Sequence, residues 1–101
     1  MNILRITKTN TRDFSFEIND ESAYLSDFGD YDPDTEVFIP AAPSNLRGAM
    51  NRFGITRGEA IFIQRTIVEE RKDYPKTLKA TVTLIPLTDV NVRSASLNTF
   101  N

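Results

Sequence analysis

The chain has 101 residues and a formal net charge of −2, and 40% of its residues are hydrophobic, which is the balance of one small globular domain. Cysteine and histidine are absent, which excludes disulfides, thiol nucleophiles and the histidine-dependent catalytic pairs. With no apolar run near the roughly 20 residues that span a bilayer and no N-terminal secretory pattern, we expect a cytoplasmic, non-enzymatic protein without cofactor or metal. Residues 1–90 are expected to form the domain and residues 91–101 a polar tail.

The first half of the chain contains three predicted strands. Residues 2–7 predict a first strand whose apolar surface comes from Ile3, Leu4 and Ile6, and a polar turn follows. Residues 13–18 alternate between apolar and polar side chains, which is typical of a half-buried strand. Residues 19–35 predict a long acidic loop, either without regular structure or with a short strand around residues 23–25. Residues 36–39 predict a third strand that stops at Pro40.

Residues 43–53 are the predicted helix. Pro43 suits a first helical turn, and Gly54 suits a left-handed C-terminal cap. Gly48 costs roughly 1 kcal/mol relative to alanine inside a helix, so we expect a close packing contact there. The apolar positions have the spacing of one helical face: Leu46, Ala49, Met50 and Phe53.

Two further strands are predicted in the second half. Ile61, Ile63 and Ile67 share one face of a strand over residues 60–68, a charged hairpin loop follows, and residues 78–87 alternate as a last strand. The predicted order is β-β-loop-β-α-β-β, a mainly β domain of five strands and one helix. This is the order of a small five-stranded OB-like barrel.

Residues 36–85 carry a resemblance to a known family. The strand at residues 37–40, the following helix and the segment GITRGEAIFIQR at residues 54–65 resemble the strand, helix and G-[IV]-x-x-G-[DE]-x-[IV]-x-I-x-R pattern of small OB-fold-like nucleic-acid-binding proteins of the phage replication-module type. The resemblance implies an OB-fold, binding of single-stranded DNA or RNA and a viral origin.

Charge is strongly segregated along the chain. Residues 19–36 hold seven acids and no base, so the remainder of the chain carries a net charge of +5. Arginine binds phosphate through a planar fork, and aromatic rings stack on bases. Phe62 is equally compatible with the core, and the basic residues near Tyr74 with a solubilising loop. The predicted nucleic-acid-binding residues are Arg47, Arg52, Arg57, Phe62, Arg65, Lys72, Tyr74 and Lys76.

The acidic segment supports a second hypothesis, in which it docks on a basic protein partner. Aromatic residues, which concentrate at interface cores, interleave with the acids. The every-second-residue spacing of three aspartates is that of a calcium loop, but Thr35 and Ala41 occupy the EF-hand glycine and glutamate positions. A solvated loop and an irregular cation site are the alternatives. The predicted partner-binding residues are Tyr24, Asp27, Phe28, Asp30, Tyr31, Asp32 and Asp34.

Overall fold

A computed structural model describes residues 1–8, 14–72, 80–89 and 92 of the chain. Two short 3-10 turns, at Leu25–Asp27 and Pro43–Asn45, connect its strands and helices. Those strands and helices, in chain order, are β1 (Ile3–Lys8), β2 (Phe14–Ile18), β3 (Glu21–Ala23), β4 (Gly29–Asp32), β5 (Val37–Pro40), α1 (Arg47–Phe53), α2 (Arg57–Lys72) and β6 (Thr81–Pro86).

The strands form two separate antiparallel sheets. One sheet has four strands in the order β3-β2-β1-β6, and the other is the β4–β5 hairpin. β1 pairs with β2 on one side and with β6 on the other. β2 turns into β3 through Asn19 and Asp20, whose φ angles of 52° and 65° are those of a two-residue hairpin turn that matches the twist of the strands.

One hydrophobic core joins the four-stranded sheet to both helices. The alternating positions of β1 and β2 face this core, and the buried side chains of α1 and α2 complete it. At one edge of the core, the Lys8 ammonium group lies 2.8 Å from the Glu70 carboxylate and so ties the end of β1 to α2. The largest fully buried apolar side chains are Phe28, Leu4, Ile6, Ile18, Leu46, Ile63 and Ile67.

The predicted strand over residues 60–68 is wrong, because this segment lies inside the 16-residue helix α2. A reciprocal capping box begins the helix: the Thr56 hydroxyl accepts from the Glu59 N–H at 3.1 Å, and the Glu59 carboxylate accepts from the Thr56 N–H at 2.8 Å. The predicted hairpin loop over residues 69–77 is also wrong for residues 69–72, which form the last turn of α2, and residues 73–77 lie outside the described residues. Positions 60, 63, 64 and 67 are all buried and follow the helical spacing.

The predicted five-stranded OB-like barrel with one helix is therefore wrong. The described residues form six strands in two sheets and two α-helices, a small mixed α/β domain in which the sheets do not close into a barrel. The segment at residues 54–65 that carried the OB resemblance is mostly helical. The predicted acidic loop contains β3 and β4, with only short turns between them.

The predicted helix near residues 43–53 is confirmed. Pro43 begins a 3-10 turn, α1 follows, and Gly54 has the left-handed φ of 64° expected of a C-terminal cap. The close contact expected at Gly48 is wrong, since a Cβ at that position would meet no atom within 4 Å. Of the predicted tail, only Val92 lies among the described residues, and it packs against the core. No helix in the described part of the chain is long and apolar enough to cross a membrane.

Candidate functional site

The β4–β5 hairpin presents a mixed acidic and apolar face to solvent. Asp30 pairs with Ile39 and Asp32 pairs with Val37, so all four side chains project from the same face. Val37 is 51% exposed and Ile39 is 60% exposed, and both aspartates are exposed as well. These residues surround a surface depression of about 350 Å³. We call this set of four residues the outer hairpin face.

The opposite face of the hairpin packs inward. Tyr31 and Phe38 form a cross-strand pair on this side, and Phe38 packs against the core. Gly29 opposes Pro40, and a Cβ on Gly29 would lie 2.2 Å from the Ile39 carbonyl oxygen. The first position of β4 therefore requires glycine because the two strands approach each other closely there.

The base of the hairpin is anchored in the core by Phe28. This side chain is fully buried, and its ring stacks on that of Phe53 with centroids 5.9 Å apart and planes inclined by 12°. Its carbonyl oxygen accepts hydrogen bonds from the Ala41 N–H at 3.0 Å and from the buried Gln64 amide at 2.8 Å. The same Gln64 amide nitrogen also donates to the Ala41 carbonyl oxygen at 3.0 Å. Both ends of the hairpin are thus held by one side chain of α2.

The turn of the hairpin is held by local hydrogen bonds and by the end of α2. The Asp32 carboxylate accepts from the Asp34 N–H at 2.9 Å, and the Asp32 carbonyl oxygen accepts from the Glu36 N–H at 2.7 Å. Glu36 has a φ of 60°, a left-handed conformation that L-residues with a Cβ rarely adopt. Arg71 donates to the Glu36 carbonyl oxygen at 2.8 Å, which links α2 to the turn.

A larger groove lies beside the hairpin. It has a volume of about 540 Å³ and its aromatic wall includes Phe14, Tyr24 and Tyr31. The Arg71 guanidinium lies 5.8 Å from the ring centroid of Phe14 and 5.2 Å from that of Tyr31, within cation–π distance of both. Tyr31 lines this groove as well as the depression on the outer hairpin face, so the two concave surfaces adjoin.

The structure divides the predicted partner-binding residues into two groups. Asp30, Asp32, Asp34 and Tyr24 are exposed, and Tyr31 is half-buried under Arg71. Asp27 is engaged internally, since it accepts from the Tyr24 N–H at 2.8 Å and from Arg52 at 2.9 Å. Including Phe28 among the contact residues was wrong because its side chain has no exposed surface.

Val37 and Ile39 belong to the exposed surface, but the sequence analysis did not single them out. Both were assigned only to a strand, and strands of alternating burial usually turn their apolar residues inward. The available signal was that Phe38 lies between them. Since neighbouring side chains in a strand point to opposite faces, an inward Phe38 places Val37 and Ile39 on the outer face.

Two predicted nucleic-acid-binding residues, Arg52 and Lys72, form ion pairs with acids of the same chain. Arg52 pairs with Asp27 at 2.9 Å and Glu21 at 3.8 Å, both from the acidic segment, and its guanidinium lies 4.9 Å from the Phe53 ring centroid. Lys72 pairs with Glu69 at 2.9 Å. The segregation of charge along the sequence is therefore partly cancelled by contacts within the fold.

The other predicted nucleic-acid-binding residues are spread over both helices. Arg47 and Arg57 are exposed at the first positions of α1 and α2. Arg57 and Lys72 stand at opposite ends of α2, about 22 Å apart at 1.5 Å per residue. Phe62 and Arg65 are half-buried in the middle of α2, where Phe62 packs against the core. Tyr74 and Lys76 lie outside the described residues.

Arg5 and Glu17 form an ion pair on the open face of the four-stranded sheet. Their hydrogen bond and the charge of the Glu17 carboxylate raise the pKa of Arg5, so its guanidinium stays charged. Within residues 1–8, 14–72, 80–89 and 92, no three carboxylates are grouped so that they could hold a metal ion.

Comparisons with family models, curated proteins and solved structures found no match to this chain.

Proposed function

We propose that the protein is a non-catalytic interaction module that docks on a basic partner protein through the outer hairpin face. The observation that carries this proposal is the pairing of two exposed branched apolar side chains with two exposed carboxylates on one rigid hairpin. Burying apolar surface stabilises a complex by roughly 25 cal/mol per Å². Carboxylates beside that surface favour guanidinium and ammonium groups through charge-assisted hydrogen bonds.

The arrangement also indicates the chemistry of the partner. Asp30 and Asp32 form one row on β4, and their partners Ile39 and Val37 form a parallel row on β5, so the outer hairpin face has an acidic row beside an apolar row. A complementary surface therefore has an apolar strip with arginine or lysine side chains along one side. The adjoining groove, with its aromatic wall, offers room for a longer side chain at the edge of such a contact.

Binding of single-stranded nucleic acid stays a prediction, with less geometric support. It depended on a barrel, and the described strands form two open sheets. Stacking requires exposed aromatic platforms beside free cations. Phe62 instead packs against the core, and Arg52 already binds acids of the same chain.

The test is a binding titration with the full chain and a fluorescent peptide in which arginine or lysine alternates with leucine or valine. We expect the double variant Asp30→Asn and Asp32→Asn to lose about tenfold in affinity, which corresponds to roughly 1.4 kcal/mol. Asparagine preserves the hydrogen bond that Asp32 makes in the turn, because its side-chain oxygen still accepts. The matched control is Asp20→Asn with Asp89→Asn, which removes two exposed acids elsewhere and keeps the affinity of the wild type.

Two results would contradict the proposal. One is an equal loss of affinity in the hairpin variant and in the control, since this would indicate only a response to net charge. The other is failure to bind the basic peptide together with tight binding of a labelled oligonucleotide. In that case a steep loss of affinity with added salt would identify phosphate contacts and favour the nucleic-acid prediction.

A further inference from the structure

The strand β6 forms one edge of the four-stranded sheet. Among the described strands, only β1 pairs with it, and no described strand pairs with its other side at Val82 and Leu84. Leu84 lies opposite Arg5 and Val82 lies opposite Thr7, so both project from the open face of the sheet. Each of these two side chains is 63% exposed. The strand thus has an edge with which no described strand pairs, and an exposed apolar surface beside that edge.

The hydrogen bonds of the sheet show which backbone groups of β6 point outward. The Leu87 N–H donates to the Asn2 carbonyl oxygen at 2.9 Å, so odd-numbered residues at this end of the chain bond towards β1. It follows that the N–H and C=O groups of Val82 and Leu84 point away from the sheet. Pro86 has the same orientation, and its missing N–H therefore costs the sheet no bond.

The free edge of β6 lacks the features that usually prevent strand pairing. Exposed edges are commonly protected by charged side chains, prolines or bulges. Residues 80–88 contain no charged side chain, and the strand pairs with β1 in continuous register from Thr81 to Pro86. Pro86 interrupts the edge only at its last position. Residues 81–85 are therefore open to pairing with another strand.

We propose that two copies of this chain associate by antiparallel pairing of their β6 strands around a two-fold axis at Thr83. In this register, Val82 of one copy lies opposite Leu84 of the other on the open face, and the contact occurs twice. Val82 and Leu84 also have the outward backbone groups, so each donates one hydrogen bond and accepts one across the axis. The side-chain pairs and the backbone ladder thus require the same register.

The chemistry of the strand favours a second copy over a charged foreign strand. The edge is neutral, so it attracts neither an acidic nor a basic partner, and two copies meet there without repulsion. Two charged residues of β1 lie opposite β6, and each has a counter-charge: Arg5 pairs with Glu17, and Lys8 pairs with Glu70. A two-fold arrangement also repeats each favourable contact, which is how self-complementary dimer interfaces gain affinity.

The test is the mass of the full chain in solution, measured by light scattering and by sedimentation over a range of concentrations. We expect a dimer whose dissociation constant rises at least about tenfold in Leu84→Lys. We expect a similar effect in Val82→Pro, which removes an outward N–H and no bond to β1. The matched control is Ile39→Lys, because Ile39 is 60% exposed and the same charge is introduced, yet the dimer is expected to persist. Far-ultraviolet circular dichroism checks that each variant folds.

Each alternative occupant predicts a different result. A wild-type chain that stays monomeric overturns the proposal, as does a dimer unaffected by Leu84→Lys and Val82→Pro. Loss of the dimer in Ile39→Lys assigns the interface to the hairpin instead. A dimer that forms only after removal of residues 93–101 shows that the C-terminal segment occupies the edge, which also overturns the proposal. Leu84→Lys is expected to bind the basic peptide as the wild type does, whether or not the chain dimerises. The test of the dimer is therefore separate from that of the proposed function.

Discussion

The amide of Gln64 on α2 donates a 2.8 Å hydrogen bond to the carbonyl oxygen of Phe28, the residue immediately before β4. Its second bond reaches the carbonyl oxygen of Ala41, immediately after β5. Gln64 is fully buried, and its own side-chain oxygen has no hydrogen-bond partner among the described residues. One polar side chain in the core therefore determines where the acidic hairpin leaves the domain.

Replacing Gln64 tests this anchoring role. Gln64→Leu keeps a similar volume but removes both donated bonds, so the partly buried Ala41 carbonyl loses its donor. We expect the free energy of unfolding to fall by about 1–2 kcal/mol, measured by urea denaturation. The control is Thr66→Ser, a half-buried position on the same helix whose hydroxyl bonds to the Phe62 carbonyl oxygen. Unchanged stability in Gln64→Leu would contradict the anchoring role.

Gln64→Glu is expected to give a pH-dependent version of the same effect. A buried carboxylate facing two carbonyl oxygens is disfavoured, so the pKa of the new carboxyl group is raised in the folded state. The variant therefore loses stability progressively as the pH rises above the ordinary pKa of glutamate, and it regains stability in acid. Urea denaturation of variant and wild type at several pH values measures this difference. A constant difference at all pH values would show that the group is hydrated.

The two glycines in positions 29 and 48 are expected to respond in opposite directions to alanine. Gly29→Ala places a Cβ against the backbone of β5 and should destabilise the protein by at least about 2 kcal/mol. Gly48→Ala adds a methyl group in open space on α1 and should stabilise it by about 0.5 kcal/mol. Thermal denaturation of both variants gives the comparison. Destabilisation by Gly48→Ala would mean that α1 packs more closely there than the structure shows.

Glu36 provides a test of backbone strain in the hairpin turn. Its left-handed φ of 60° costs about 1 kcal/mol for a residue with a Cβ. Glu36→Gly relieves this strain, and because glycine also increases the entropy of the unfolded chain, we expect a net gain of about 0.5 kcal/mol. Glu36→Ala is the control, since it removes the carboxylate and keeps the strain. If both variants change stability equally in thermal denaturation, charge rather than backbone conformation is responsible.

The Lys8–Glu70 pair is expected to matter more than the other ion pairs. The Lys8 side chain is only 11% exposed, whereas both partners of the Lys72–Glu69 pair are more than 60% exposed. Glu70→Gln leaves the largely buried Lys8 ammonium group without its counter-charge, so we expect a loss of about 2 kcal/mol in chemical denaturation. Glu69→Gln is the matched control and should cost less than about 0.5 kcal/mol. Equal effects would mean that water reaches Lys8.

Local signals in the sequence were sufficient for α1 and for most strands, and insufficient for α2. The α1 segment has an apolar helical stripe with a proline before it and a glycine after it, and all of these agree. In α2, Ile61, Ile63 and Ile67 also fit one face of a strand. The buried position that completes the helical stripe is polar Gln64, which conceals the pattern. Thr56 and Glu59 have the spacing of a capping box and were the available signal for a helix.

The candidate site could be predicted only in part for a similar reason. Asp30, Asp32 and Asp34 were identified from composition, and they are exposed. The pairing of Arg52 with Asp27 joins residues 25 positions apart, and no local pattern reveals it. The exposure of Ile39 follows from the inward orientation of its neighbour Phe38, which composition alone does not encode.

The anchoring of Phe28 in the core has a thermodynamic consequence for the acidic surface. Because Phe28 anchors the hairpin in the core, the backbone that carries the aspartates is already ordered before a partner binds. A cationic ligand therefore binds there at a small cost in loop entropy. A bound basic peptide should therefore stabilise the whole domain, not only the residues that it contacts, and raise its melting temperature.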